Sequence, residues 1–308
     1  MLSIPAPHSR RRLSRAQRWN IATAFIFLAP VLVLAATFDY VPALKSFRLM
    51  FYDWNLINDD PTFIGLDNFR TIFADDRFRT SLKNSGVYVA ALVPLQVCIP
   101  LAIAVAVRSL SKSRLSSFYR AILFLPAVIS LPAASVVWLW MLNPYNGIVN
   151  QVGTSLGGGR IDWLNQPRNA MISVIVVATW STIGFNFLLY LAALEGVAKD
   201  LKEAARLDGA EGWRLFRDIE FPLISPTFFF VVLTTVLFVN NEIFGVINVL
   251  TQGGPYSSTS NVLFYLYERG FKFFQAGEAS ALAILIVSAS LLFTWVQMRF
   301  GEKWVHYG

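Results

Sequence analysis

The 308-residue chain is 55% hydrophobic and only 15% charged, with a mean hydropathy of +0.52, whereas soluble domains carry about 25% charged residues. Its formal net charge of +7 is unevenly placed, which in a membrane protein reports orientation before nucleic-acid binding. One cysteine, Cys98, and two histidines near the termini, His8 and His306, exclude an intrachain disulfide, a cysteine metal cluster, zinc-protease spacing and a histidine-based triad.

In chain order, residues 1–20 read as a cytoplasmic arm, with Arg10, Arg11, Arg12, Arg15 and Arg18. SRRRLSR before an apolar run could open a twin-arginine signal peptide. The run is long and bulky and lacks a small-x-small cleavage site, so it is kept as a first span. A crossing helix needs about 20 mostly apolar residues. Six windows satisfy this, at 21–43, 85–107, 120–142, 170–194, 222–249 and 279–299, and they predict an all-α, six-span membrane domain over 21–299 with a tail at 300–308.

Sixteen of the 26 Lys and Arg residues fall on one side of that layout: the arm, the 108–120 loop, the stretch from Lys199 to Arg217, and Arg299 with Lys303. The positive-inside rule makes that side cytoplasmic, with both termini inside. The opposite loops, 44–84, 143–169 and 250–278, are longer and rich in turn residues. Gly157, Gly158 and Gly159 form a flexible turn there, because they lack the Lys-Ser/Thr ending that a phosphate-binding loop needs. An ATP site, if one is used, belongs to another chain.

Between the fourth and fifth windows lies EAARLDGAEGWRLFRDIEFPL, residues 203–223. Asp200 and Glu203 have the spacing of an N-terminal cap, predicting a helix from about Leu201 with Leu201, Ala204 and Ala205 as its apolar stripe. Gly209 offers a left-handed stop. A second short helix with Trp213 and Phe216 should follow and close at Pro222, where the chain re-enters the membrane. Within the spans, Trp180, Ser181, Thr182, Asn186, Asn240, Asn241 and Glu242 stand out, because polar groups there are costly unless paired or lining a wet cavity. Two readings stay open for them: hydrogen bonds between helices, or a path on which amides and a carboxylate bind substrate hydroxyls and Trp180 stacks on a sugar ring. In a helix Trp180 and Asn186 are about 240° apart and do not fully share one cavity.

The segment 200–222 resembles the EAA motif of ABC importer permeases. Glu203-Ala204-Ala205 are followed by Gly209, Ile219 and Pro222 at the family's spacing, with Phe221 in place of the usual Leu. GLDNF (65–69), FLPAVIS after a basic loop, and NVLTQGGPYSSTSNVLFYLYERGF (248–271) are similar to the carbohydrate-uptake branch, which includes maltose, sugar and glycerol-3-phosphate permeases.

The resemblance implies a type I importer permease fold in a bacterial-type cytoplasmic membrane. The chain would carry no ATP site of its own, ATP and magnesium being bound by a partner ATPase dimer. Glu203 would meet basic groups of that ATPase, Ala204, Ala205 and Gly209 would allow close approach, and Ile219 and Pro222 would complete the coupling segment. A second homologous permease subunit, an extracytoplasmic solute-binding protein and membrane lipid are the further partners implied. A self-contained secondary transporter is the competing class. It should show paired inverted repeats and midplane ionisable residues; the sequence shows little of either, and its clearest acidic residue within a span, Glu242, lies in the outer part of the fifth.

Overall fold

A computed structural model describes residues 15–57, 60–108 and 116–301. Most of the arm and tail, and the basic loop around Lys112 and Arg114, lie outside the described residues.

The chain is almost wholly helical. α1 (Arg15–Ala35) passes through a π-turn at Ala36–Tyr40 into α2 (Val41–Leu49), and the run Thr23–Leu49 is the first apolar span. A short antiparallel hairpin follows, pairing Tyr52 with Phe63 and Asp53 with Thr62. α3 (Asp67–Ala74) leads into α4 (Asp76–Val107), whose first turn is capped by Asp75 accepting from the Arg77 amide at 2.7 Å. α8 (Pro167–Gly196) and α11 (Phe221–Asn241), which continues into α12 (Ile243–Leu250), pack against α4, and α14 (Ala276–Gly301) closes the bundle.

The 120–142 window does not form one straight span. It folds as α5 (Ser116–Val128) and α6 (Leu131–Met141), bent by 96° at the break. Pro132 has no N–H for the Val128 carbonyl, so the ladder is interrupted there. The chain restarts with the Ala134 amide on the Ser130 carbonyl at 2.9 Å. Among the described residues, five helical runs are long and apolar enough to cross a membrane, and the bent pair makes a sixth when counted as one broken span.

Two of its apolar clusters stack along α4, α8 and α11. Tyr88, Leu92, Val174, Val177 and Val239 with Ile243 form one. Val97, Ala104, Phe187, Tyr190, Leu191, Ile224 and Val231 form the other, nearer the end of α4. At the junction, Gln96 Nε2 donates to the Ala178 carbonyl at 3.1 Å and Asn186 Nδ2 donates to the Gln96 carbonyl at 2.8 Å. Two buried amides thereby satisfy backbone groups across helices instead of remaining unpaired in an apolar interior. α5 crosses α8 at Gly184, where a Cβ would lie 1.7 Å from the Leu123 carbonyl oxygen. Only glycine permits that approach.

Near the start of α4, the loop 251–261 is tied down on that helix. Asn84 Nδ2 donates to the carbonyls of Ser257 and Ser260, both at 2.9 Å, and the Tyr88 hydroxyl donates to the Thr259 carbonyl at 2.9 Å. Beyond it, α13 (Val262–Tyr267) and a π-turn (Glu268–Lys272) carry Arg269, which pairs with Asp75. The Tyr265 hydroxyl donates to Asp75 at 2.7 Å.

Candidate functional site

The charged segment forms a protrusion at the end of the bundle where α4 and α8 finish. α9 spans Lys199–Leu207 and begins two residues before the predicted start. Ala198 holds the extended N-cap conformation with no side-chain cap, and Asp200 sits inside the first turn, where its charge favours the positive helix end instead of bonding to it. Gly209 takes φ +81°, the Gly209 amide donates to the Arg206 carbonyl at 3.0 Å, and the Ala210 amide donates to the Ala205 carbonyl at 2.9 Å. This paired closure is the glycine stop read from Asp208-Gly209. No atom lies within 4 Å of a Cβ built at 209, so within this chain the glycine serves backbone conformation alone.

The predicted stripe is narrower than its sequence reading. Ala205 is buried with Ala210 and Leu215, and Ile219 packs against them half-buried. Leu201 and Ala204 are exposed, as are Leu207 and Trp213, because α9 turns the Ala205 side alone toward the bundle. Glu203 is also exposed and lines a cavity of about 560 Å³ together with Lys199, Lys202 and Arg206.

The second short helix, α10 (Gly212–Leu215), does not close at Pro222. It runs through a π-turn at Phe216–Glu220 directly into α11. The Phe221 amide reaches back to the Phe216 carbonyl, and this wider turn lets the helix take Pro222, which has no amide to donate, without a break.

Glu220, inside the segment and not singled out from the sequence, is the buried acid that anchors it. It is 2% exposed and is met by Arg108 from the end of α4 and by Lys202 Nζ at 3.5 Å, while Lys202 also donates to the Leu194 carbonyl at 2.8 Å. A carboxylate buried to this degree requires such partners. The one available signal was a charged residue wedged between Ile219 and Phe221. Burial, and then the nearby Arg108 and Arg206 charges, hold the Lys202 ammonium pKa below its ordinary value.

The intramembrane candidates separate into groups. Asn186 is buried and bonded to Gln96, and Trp180 packs edge-on against Trp138 at 5.7 Å between ring centroids. Ser181, Thr182 and Glu242 meet instead at a cavity of about 310 Å³ beside the α5/α6 break, walled by Phe124, Phe185 and Phe238. The Ser181 hydroxyl donates to the Ala178 carbonyl at 2.9 Å and that of Thr182 to the same carbonyl at 3.3 Å, so both oxygens present lone pairs. With the Glu242 carboxylate they make a cluster of acceptors in an otherwise apolar wall. Asn241 is exposed at the end of α11 and does not line this cavity; Asn240 lies in the same helix, and its side chain is outside the described residues.

Residues 98–305 match the family described as binding-protein-dependent transport system inner membrane component. The chain is 31% identical over 289 residues to an sn-glycerol-3-phosphate transport system permease protein, UgpA, of Agrobacterium fabrum, covering 94% of this chain and 98% of that one. It is 32% identical to the probable ABC transporter permease protein YurN of Bacillus subtilis, covering 91% and 96% of the two chains. In fold it is similar to a bacterial ABC transporter involved in the import of the acidic polysaccharide alginate, with a TM-score of 0.81 at 22% identity over 93% of this chain and 98% of that one. A second structure, of the alginate transporter in complex with an alginate pentasaccharide-bound periplasmic protein, gives a TM-score of 0.79 at 23% identity, with coverages of 91% and 93%.

Proposed function

The chain belongs to the family of binding-protein-dependent transport system inner membrane components, and from that premise we propose that it is the permease subunit of an ATP-driven importer of a neutral polyhydroxylated solute, a sugar or polyol. The observation that carries the substrate class is the cavity at the α5/α6 break, where Ser181, Thr182 and Glu242 gather acceptors between aromatic walls. Substrate hydroxyls are donors and match that set, and apolar walls suit the C–H faces of a sugar.

The remaining assembly follows from the same premise. The protrusion from Lys199 to Pro222 couples to a separate ATPase dimer, which binds ATP and magnesium, through Glu203, Ala204, Gly209 and the exposed Leu207 and Trp213, while the buried Ala205 holds α9 on the bundle. A second permease subunit pairs with this one. The first span supports that pairing, since none of its central apolar window is buried within this chain. The outer loops face a solute-binding protein, and the basic residues set both termini in the cytoplasm.

A second reading, sn-glycerol-3-phosphate, draws support from the naming of several relatives at 30–32% identity. An ionised Glu242 repels that anion unless the partner permease supplies cations, so one substitution separates the two. Binding-protein-dependent uptake and ATPase stimulation, measured with neutral sugars, polyols and glycerol-3-phosphate in Glu242→Gln beside the parent, should fall for the neutral substrate. A rise for glycerol-3-phosphate would favour the second reading. Unchanged uptake of every substrate in Glu242→Gln and Thr182→Val would remove these residues from the path.

A further inference from the structure

The larger cavity, of about 560 Å³, lies at the inner ends of α4 and α8 beneath α9. Arg108, Lys199, Lys202 and Arg206 face it, together with Glu195, Glu203 and Glu220. Two of the acids are already held: Glu195 by Arg120 at 2.6 Å, and Glu220 by Arg108 and Lys202. Lys199 and Arg206 have no ion pair among the described residues, and Glu203 is exposed. With Arg120 included, five cations stand against three carboxylates. The lowered Lys202 pKa has the same origin, burial followed by repulsion from neighbouring cations.

Position narrows what could fill such a space. The cavity opens where two spans end, at Val107 and Gly196, which is headgroup depth for a bilayer. Part of its wall is apolar, from Leu194, Val197 and Leu215. Cations beside an apolar wall at that depth match a phosphate group with glycerol carbons attached to it, whereas free phosphate would use the cations alone. On α9, Lys199, Lys202, Glu203 and Arg206 recur at three- and four-residue intervals and share one side, while Ala204 and Leu207 lie about 100° or more away from Lys202. The cavity and the outward docking face are thus adjoining sides of one helix, with Glu203, about 40° from Leu207, at the border between them.

We propose that this cavity binds a phosphate diester, the headgroup of an anionic phospholipid of the inner leaflet, and that its occupancy braces α9 against the bundle. The coupling role of α9 rests on the function proposed above; the binding itself does not depend on it.

The test uses the assembled transporter, with its ATPase and second permease, in nanodiscs of phosphatidylcholine alone or mixed with phosphatidylglycerol. Disc leaflets are alike, so the readout is independent of orientation. Native mass spectrometry reads phosphatidylglycerol retained per complex in the parent, in the double variant Lys199→Gln/Arg206→Gln, and in Arg217→Gln, which removes an exposed cation that does not line the cavity. The double variant leaves the Glu220 partners Arg108 and Lys202 in place. Retention should fall by about tenfold or more in it, the loss expected for two cations at a headgroup, and stay unchanged in Arg217→Gln. Equal retention in all three proteins would overturn the site. If inorganic phosphate in phosphatidylcholine discs competes for or reproduces the effect, the ligand is a soluble anion and the lipid assignment falls. If the double variant loses its ATPase while retaining lipid like the parent, an acidic side chain of the ATPase fills the cavity and the proposal is overturned. Absence of binding-protein-dependent uptake in the parent, with lipid retention following the expected pattern, would instead count against the transport reading alone.

Discussion

Gly184→Ala tests the contact that sets the shape of the broken span. A Cβ at 184 would stand 1.7 Å from the Leu123 carbonyl oxygen and 2.8 Å from the Phe124 Cα. Both are backbone atoms, so no side-chain rotation relieves the contact. α5 would have to recede by roughly 1.5 Å, placing the cost at the upper end of the 1–3 kcal/mol typical of overpacking, about 3 kcal/mol. The gain in helix propensity from Gly to Ala returns about 1 kcal/mol, leaving a net loss of about 2 kcal/mol. For a chain of 308 residues, at about 2.1 cal/mol/K of unfolding entropy per residue, that lowers Tm by roughly 3 °C. Gly86→Ala in α4 is the matched control, since nothing lies within 4 Å of its Cβ; it should melt at or slightly above the parent. Phe124 and its neighbours wall the Ser181–Glu242 cavity, so uptake should fall in Gly184→Ala and persist in Gly86→Ala. A Gly184→Ala protein that melts with the parent and transports normally would refute both the close crossing and its link to the cavity.

The topology predicts that, in a Cys98→Ala background, a membrane-impermeant maleimide applied from outside labels a cysteine at Tyr256 but not one at Leu207. Both positions are exposed, at 93% and 90%, so labelling of both from one side would break the span assignment. Gly209→Val should insert normally but copurify with less ATPase, because a β-branched residue at φ +81° costs about 1–3 kcal/mol and loosens the end of α9; Gly209→Asn should be milder, and equal ATPase recovery in all three proteins would contradict this. Burial alone would raise the Asp75 pKa. The Tyr265 hydroxyl, the Arg77 amide and Arg269 outweigh it and hold Asp75 below its ordinary 3.8. A depressed carboxylate contributes stability above its unfolded pKa and loses it as pH falls through the folded value. Thermal unfolding should therefore be flat near neutral pH and drop below about pH 4, with a smaller acid-side drop in Asp75→Asn; identical profiles would disprove the contribution.

Length and composition alone determined that this chain is a helical membrane protein, because a run of about 20 apolar residues has few other ways to satisfy its backbone. The glycine stop within 200–222 was legible for a similar reason: Gly209 encodes local geometry, and local geometry is written in neighbouring residues. What the sequence misassigned depended on contacts between distant positions. The cap read at Asp200 gave way to a helix starting at Lys199, and the stop read at Pro222 to a π-turn that absorbs the proline. The 120–142 window looks uniformly apolar, yet it bends by 96°. Asn186 and Glu242 are both polar residues within spans; the partner helix alone decides that one is sealed against Gln96 and the other opens on a cavity. Glu220 carries no sequence mark beyond its apolar neighbours, and it becomes the anchor of the protrusion because Arg108, more than a hundred residues earlier, ends its helix beside it. Hydropathy is a sum over one segment, whereas pairing and enclosure are properties of two or more segments brought together, and only the tertiary fold supplies them.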